Sequence, residues 1–210
     1  MKKYQSILSL RPTQFSVGLY EINLKVKEYD RMSKRERRKH VEAKPIPVVR
    51  AYDGQLYILD HHHHLFVCWQ AGVKKVPVEV VRDLSKRKLT FGKLWRYLGK
   101  NGCAYLYDQF GNGPRSALYL PDDIRGMADD PYRSVAWMVR QEGAYDNSDI
   151  PFAEFQWADF FRSKKLLERE GKAGILAATA KGILHAQSRA AKSLPGFKPP
   201  SRKKARKKAR

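Results

Sequence analysis

The chain holds only two cysteines, Cys68 and Cys103, in 210 residues, and their separation matches no metal-ligand spacing. A cysteine-based metal cluster is therefore not expected. The two read as small, partly buried hydrophobes in a reducing cytoplasm. Long apolar runs are also missing: no window approaches eighteen uncharged apolar residues, so no helical membrane span is expected. The start, Met1 to Ser6, is positively charged but no apolar stretch follows, which argues against a secretory leader. There is no internal repeat. What remains is ordinary for a packed core, with 42% apolar and 11% aromatic residues.

Acidic residues are scarce relative to basic ones. Forty-two Lys and Arg face twenty-one Asp and Glu, a formal charge of +21. Seven of the cations, Arg202, Lys203, Lys204, Arg206, Lys207, Lys208 and Arg210, crowd the last ten residues. A second cluster runs from Arg31 to His40. Such charge points to a polyanionic partner, nucleic acid before an acidic membrane surface. For the tail, non-specific and salt-sensitive phosphate binding is expected. For the internal cluster a merely solvated face competes on even terms, because Glu28, Asp30, Glu36 and Glu42 interleave with it.

The pattern along the chain predicts an α+β protein. Residues 7–18 read as a short strand and a turn broken by Pro12, and residues 19–43 as one or two helices ended by Pro45 and Pro47. Two β-like runs flank Asp53-Gly54, a strong hairpin signal. Leu65 to Gln70 reads as a helix stopped by Gly72, and Lys75 to Val81 as another strand. Residues 1–90 thus form one unit. Residues 91–195 are expected to be mostly helical and packed on it, with helix starts near Pro121 and Asp129 and helices at 151–170 and 172–193. Residues 196–210 are expected to be a disordered basic tail, left through Pro195-Gly196.

Four of the six histidines stand together in Asp60-His61-His62-His63-His64, between the strand ending at Leu59 and the helix through Leu65. A strand feeding a helix start exposes unpaired N–H groups at the positive end of the helix dipole, where anions settle. Imidazoles there supply donors, acceptors and a proton shuttle near neutral pH. Adjacent side chains diverge, so four histidines cannot converge on one zinc ion; on a helix only His61 and His64 share a face. Phosphate handling fits better, with Asp60 at the N-cap position able to cap, to orient an imidazole or to hold Mg²⁺. The competing reading is that Asp60 only caps and the histidines pack.

The segment Tyr57 to Leu65 resembles the Asp-Gly-His-His-Arg motif of the ParB/sulfiredoxin superfamily. The wider chain is similar to its ParB-like nuclease family. The stretches that carry the likeness are Leu10 to Gly18, Asp129 to Trp137, Pro151 to Arg162 and Leu194-Pro195-Gly196. The resemblance implies a ParB/sulfiredoxin-like N-terminal unit that binds nucleotide phosphates at this loop and helix start. Superfamily members include CTP-hydrolysing partition proteins, an ATP-using sulfinic acid reductase and free-serine kinases. Asp60, His62 and His63 match the motif; His61 replaces its glycine and His64 its arginine, which removes a bidentate phosphate fork. Glu21, four residues before Lys25, corresponds to an acidic residue the superfamily uses as a base.

The expected function is therefore a nucleotide- or phosphate-binding protein performing phosphoryl transfer or phosphodiester or nucleotide hydrolysis, associated with nucleic acid. The nucleotide would be ATP, ADP or CTP, with Mg²⁺. Catalytic candidates are Glu21 as base, Asp60, His62 and His63; phosphate-binding candidates are Lys25, His61, His64, Arg11 and Gln14. For Glu21 and Lys25 an ordinary surface ion pair is the plainer alternative. Glu154 could reach the site, while Asp159 is expected to pair with Arg162 or Arg133. Replacing His62 and His63 together by alanine is expected to abolish turnover and spare the fold. Alternatives are a non-enzymatic DNA-binding protein on the same fold and, more weakly, a small-molecule kinase. The expected location is the cytoplasm, with nucleoid association open.

Overall fold

The computed structural model describes residues 3–199. It is an α+β structure that divides into two compact units, Met1–Asp130 and Pro131–Arg210. The first unit thus extends 40 residues past the boundary expected at residue 90, because the helix from Phe91 and the loops after it pack on the sheet.

The first unit is built on a mixed five-stranded sheet, formed by β1 (Lys3–Ser6), β2 (Leu10–Arg11), β4 (Ile46–Arg50), β5 (Leu56–Ile58) and β6 (Lys75–Asp83) in the order β1-β6-β4-β5-β2. β4 and β5 are the antiparallel arms of the Asp53-Gly54 hairpin. Gly54 takes φ +80°, a conformation glycine adopts at no steric cost, and Gln55 N–H caps back onto Asp53 Oδ1 at 3.0 Å. A small second pairing joins β3 (Ser16–Val17) to β7 (Ala128–Asp129).

Period-two alternation sends neighbouring residues to opposite faces of the sheet. Val48 and Ile58 join one core, with Ile22, Leu65, Phe66 and Val67. That face is covered by α1 (Leu19–Arg31), α2 (Lys34–Ala43) and α3 (His62–Gln70). Val49 and Tyr57 join the other core, with Leu94, Trp95 and Leu98 of α4 (Phe91–Lys100). Residues 19–43 are two helices because Ser33 and Glu36 form a capping box that restarts the chain. α3 stops where Gly72 takes φ +81°.

The second unit packs α5 (Pro131–Gln141) against α6 (Ala153–Ser163) and α7 (Gly171–Ala186). Its centre is Trp157, stacked on Tyr145 with centroids 4.0 Å apart, and its indole N–H donates to Pro195 O at 2.7 Å. Asp146 N–H bonds to Gly196 O at 2.8 Å, so the chain is still anchored at 196–197. The tail expected from residue 196 therefore starts with ordered residues, and the rest of it, with its seven cations, lies outside the described residues. The helix start expected at Pro121 is a single 3-10 turn, Ile124–Gly126, capped by Asp123. No helix among the described residues is long and apolar enough to cross a membrane.

Candidate functional site

The histidine run does lie between a strand and a helix, but its local geometry differs from the expected one. His61, not Asp60, is the N-cap residue of α3, and it adopts φ +70°. The motif position that is glycine elsewhere is thus one where the backbone is left-handed, and histidine is among the few residue types enriched there. Asp60 accepts the next N–H, that of His61, at 2.6 Å, and its side chain is 79% exposed. The His61 ring nitrogen lies 3.9 Å from its other oxygen. Among the described residues no group of three or more His, Cys, Asp or Glu is arranged to hold a metal ion.

The loop between β2 and α1 folds over the start of α3 and is held by the imidazoles. Thr13 N–H donates to His62 Nε2 at 3.2 Å, and the Thr13 hydroxyl donates to Ile58 O at 2.6 Å. Gly18 N–H donates to His63 Nε2 at 2.9 Å. Both rings are therefore acceptors at Nε2, carrying their proton on Nδ1 when neutral. Burial pushes the His62 pKa down to about 3. His62 is thus a neutral clamp on the loop rather than a proton carrier near pH 7, and its removal would strand a buried N–H at a cost of about 1–3 kcal/mol. Alanine at this position is therefore expected to lower stability by that amount.

His64 points away from the loop. Its Nε2 lies 3.6 Å from Cys68 Sγ, and its ring packs near those of His40 and Tyr29, with centroids 5.7 and 6.5 Å away. Burial first, then the neighbouring Lys44 and His40, lower its pKa to about 3. A neutral, buried imidazole lacks the charge and the two-pronged donor set of the arginine it replaces. Burial pushes the Cys68 thiol up to about 11, so it behaves as a hydrophobe. His61 donates its Nδ1–H to Pro45 O at 3.2 Å, and burial lowers its pKa as well.

The residues that do converge are Glu21, Lys25 and His63. Glu21 sits in the first turn of α1 and is only 3% exposed. Its Oε1 is bonded by Lys25 Nζ one turn on, and its Oε2 is 3.5 Å from His63 Nε2. A buried carboxylate, a half-buried ammonium and an imidazole thus meet where two helices begin. Leu19 N–H at the start of α1 is capped by Asp129 Oδ1 at 2.8 Å. Neither Arg11 nor Gln14 reaches this group: Arg11 is engaged by Asp122, and Gln14 donates to Ser16 O at 2.8 Å. In the second unit Glu154 pairs with Arg133 and Arg140 at 2.6 and 2.8 Å, and Asp159 with Arg162.

Thr13, Gly18 and Asp129 were missing from the expected set. Thr13 and Gly18 act through backbone N–H groups 49 and 45 residues from their acceptors, and Asp129 reaches α1 only through the β3–β7 pairing. No local spacing signals any of them.

Comparison with known proteins adds two findings. A profile of the family described as "Putative ParB-like nuclease" matches residues 4–163. The structure is similar to the crystal structure of protein Atu1540 from Agrobacterium tumefaciens, with a TM-score of 0.84 and 31% identity, covering 96% of this chain and 98% of that one. Comparison with curated proteins gave no match.

Proposed function

Because the chain belongs to the ParB-like nuclease family, we propose that it binds a nucleotide or other phosphate ester where α1 and α3 begin, and there performs phosphoryl transfer or phosphodiester hydrolysis in association with nucleic acid. On this reading the first unit is a ParB/sulfiredoxin-like domain. The observation that carries it is Glu21: a buried carboxylate held between Lys25 and His63 at two helix starts. A helix start favours negative ligands, so on this reading Glu21 stands where a phosphate ester would settle, in reach of a proton released there.

Glu21 is the general base, Lys25 the cation that meets the phosphate, and His62 and His63 the residues that fix the Thr13–Gly18 loop. Asp60, exposed at the edge, is available to a metal arriving with the nucleotide. Mg²⁺ commonly enters with substrate phosphates rather than on an all-protein cage, which suits the lack of a preformed cluster among the described residues. Catalysis of this kind needs positioning and charge stabilisation more than covalent chemistry.

The test is phosphate release from each nucleoside di- and triphosphate with Mg²⁺ or Mn²⁺, with and without DNA. Glu21→Gln keeps the shape and a bond to Lys25 but cannot take a proton. Turnover is expected to fall by about 10²–10⁴-fold in that variant. Equal turnover in wild type and Glu21→Gln would remove Glu21 from the chemistry.

A further inference from the structure

A second strongly basic surface among the described residues lies apart from the α2 cluster and the α1/α3 junction. It is the stretch from Arg82 to Lys100, which carries Arg82, Lys86, Arg87, Lys88, Lys93, Arg96 and Lys100 against a single acid, Asp83. All seven cations are exposed. Asp83 is already engaged, with Ser85 N–H at 2.9 Å and with Arg50 at 3.8 Å. No ion pair among the described residues involves any of the seven. In α2, by contrast, Arg38 is paired with Glu42 at 2.8 Å, Arg37 with Asp30 at 3.8 Å, and Glu36 with the Ser33 cap. In α2 two of the five cations are thus paired, whereas around α4 none of the seven is.

The same stretch borders a cavity of about 200 Å³. Its walls are Val49, Leu59, Val81 and Leu98, with Tyr97, Asn101, Arg82 and Cys103 as polar groups. At about 100° per residue around a helix, Lys93 and Lys100 lie within about 60° of Tyr97 on one side, and Leu98 lies on the other. Tyr97 therefore stands between a cationic stripe and an apolar floor. The Arg87 guanidinium lies 5.9 Å from its ring centroid. Asn101 donates its amide to Tyr97 O at 2.7 Å and keeps its oxygen as an acceptor.

The geometry points to a binding face for single-stranded nucleic acid on the α4 side of the sheet, with one base held in the cavity against Tyr97. The cations track the phosphates, and an aromatic ring beside an apolar pocket offers the stacking platform that unpaired bases use. The cavity is smaller than the roughly 300–1,000 Å³ of a drug-sized site, which suits one ring system rather than a whole nucleotide. A paired base cannot enter it, so the face discriminates against duplex. The site lies on the sheet face opposite the Glu21 group, since α1 and α3 cover one core and α4 the other.

The experiment is fluorescence anisotropy of the full chain with a labelled single-stranded DNA of twelve nucleotides, an abasic strand of equal length and the corresponding duplex, across a salt series. Lys93→Gln/Arg96→Gln/Lys100→Gln should bind at least tenfold more weakly, with the slope of log K against log salt reduced by about 2. Lys34→Gln/Arg35→Gln/Lys39→Gln carries the same charge change on α2 and should stay within twofold of wild type. Tyr97→Leu should lose at least fivefold on the normal strand and nothing on the abasic one. Equal losses in the two triple variants, duplex binding as tight as single-strand binding, or a Tyr97→Leu loss that is the same on the abasic strand would each overturn the proposal. So would loss of binding to anionic lipid vesicles with unchanged oligonucleotide binding in the α4 triple variant. Phosphate release by the α4 variants should match wild type, so a failure at the Glu21 site is read separately.

Discussion

Lowering the pH from 7 to 5 should destabilise the first unit, and His62 and His64 set how much. Both are buried, and burial holds both imidazoles at a pKa of about 3. In the unfolded chain an imidazole titrates near 6.5. Above that value both states are neutral and the folded state keeps its full stability. As the pH falls through 6.5 toward 3, only the unfolded chain takes up the proton, so stability is lost. Integrated from pH 7 to pH 5, each such group removes about 1.9 kcal/mol, and the pair about 4 kcal/mol. That is a large share of the roughly 5–15 kcal/mol that holds a typical domain together.

Urea unfolding at 25 °C, followed by tryptophan fluorescence at pH 7, 6 and 5, measures it. His62→Gln offers an amide oxygen to Thr13 N–H without titrating, and His64→Leu fills the space beside Cys68. Each single variant should lose about 2 kcal/mol less than wild type over the same interval, and the double variant about 4 kcal/mol less. Differences between variants cancel titration elsewhere, including Asp108 and Asp123, whose carboxyls are held below the usual range by Arg115, Arg125 and backbone N–H groups. A double variant with the wild-type pH dependence would refute the assignment of both rings as buried and neutral.

Three other outcomes follow from the contacts. Glu154→Ala removes the carboxylate shared by Arg133 and Arg140, leaving Arg133 only 4% exposed without it; unfolding free energy should fall by about 3 kcal/mol, whereas Asp159→Ala, a surface pair with Arg162, should cost under about 1 kcal/mol. Gly196→Ala would force a residue at φ +70° and set its Cβ 2.0 Å from Asp146 O, so a loss of more than about 2 kcal/mol is expected on thermal unfolding, and a neutral result would show that the 196–197 segment does not brace Trp157. Deleting residues 198–210 should lower the salt slope for duplex DNA by several units, up to about 6, and leave phosphate release intact; an unchanged slope would assign duplex binding to the folded units.

The features that could be read from the sequence were those whose causes are local. Asp53-Gly54 specifies its hairpin within four residues, Gly72 stops α3, and the histidine run falls between β5 and α3 as its neighbours require. Features set by distant partners could not be read. The two-residue strand Leu10–Arg11 exists because it pairs in parallel with Leu56–Tyr57. Arg11 looks available for phosphate until Asp122, 111 residues away, takes it. Asp60 looks like an N-cap, but the chain turns one residue later, through a left-handed His61. The basic character of residues 82–100 is visible in the sequence, but its lack of compensating acids and its cavity appear only when β6 and α4 are set side by side.

Under the proposed function, the geometry favours one group in the candidate site as proton acceptor. A neutral imidazole has one acceptor nitrogen. In His62 that nitrogen is used by Thr13 N–H and in His63 by Gly18 N–H. The 3.5 Å approach of Glu21 Oε2 to His63 Nε2 is then a contact between two acceptors, and becomes a hydrogen bond only if His63 gives up Gly18 and is protonated there. With both rings occupied by the backbone, a proton released by an attacking water or hydroxyl is left to the Glu21 carboxylate, which Lys25 steadies through its other oxygen. Under the proposed function the base then stands on α1 and the histidine motif holds the loop. It also separates the two roles experimentally. Glu21→Gln should remove turnover with little change in stability, while His62→Ala should lower stability first and turnover only as a consequence.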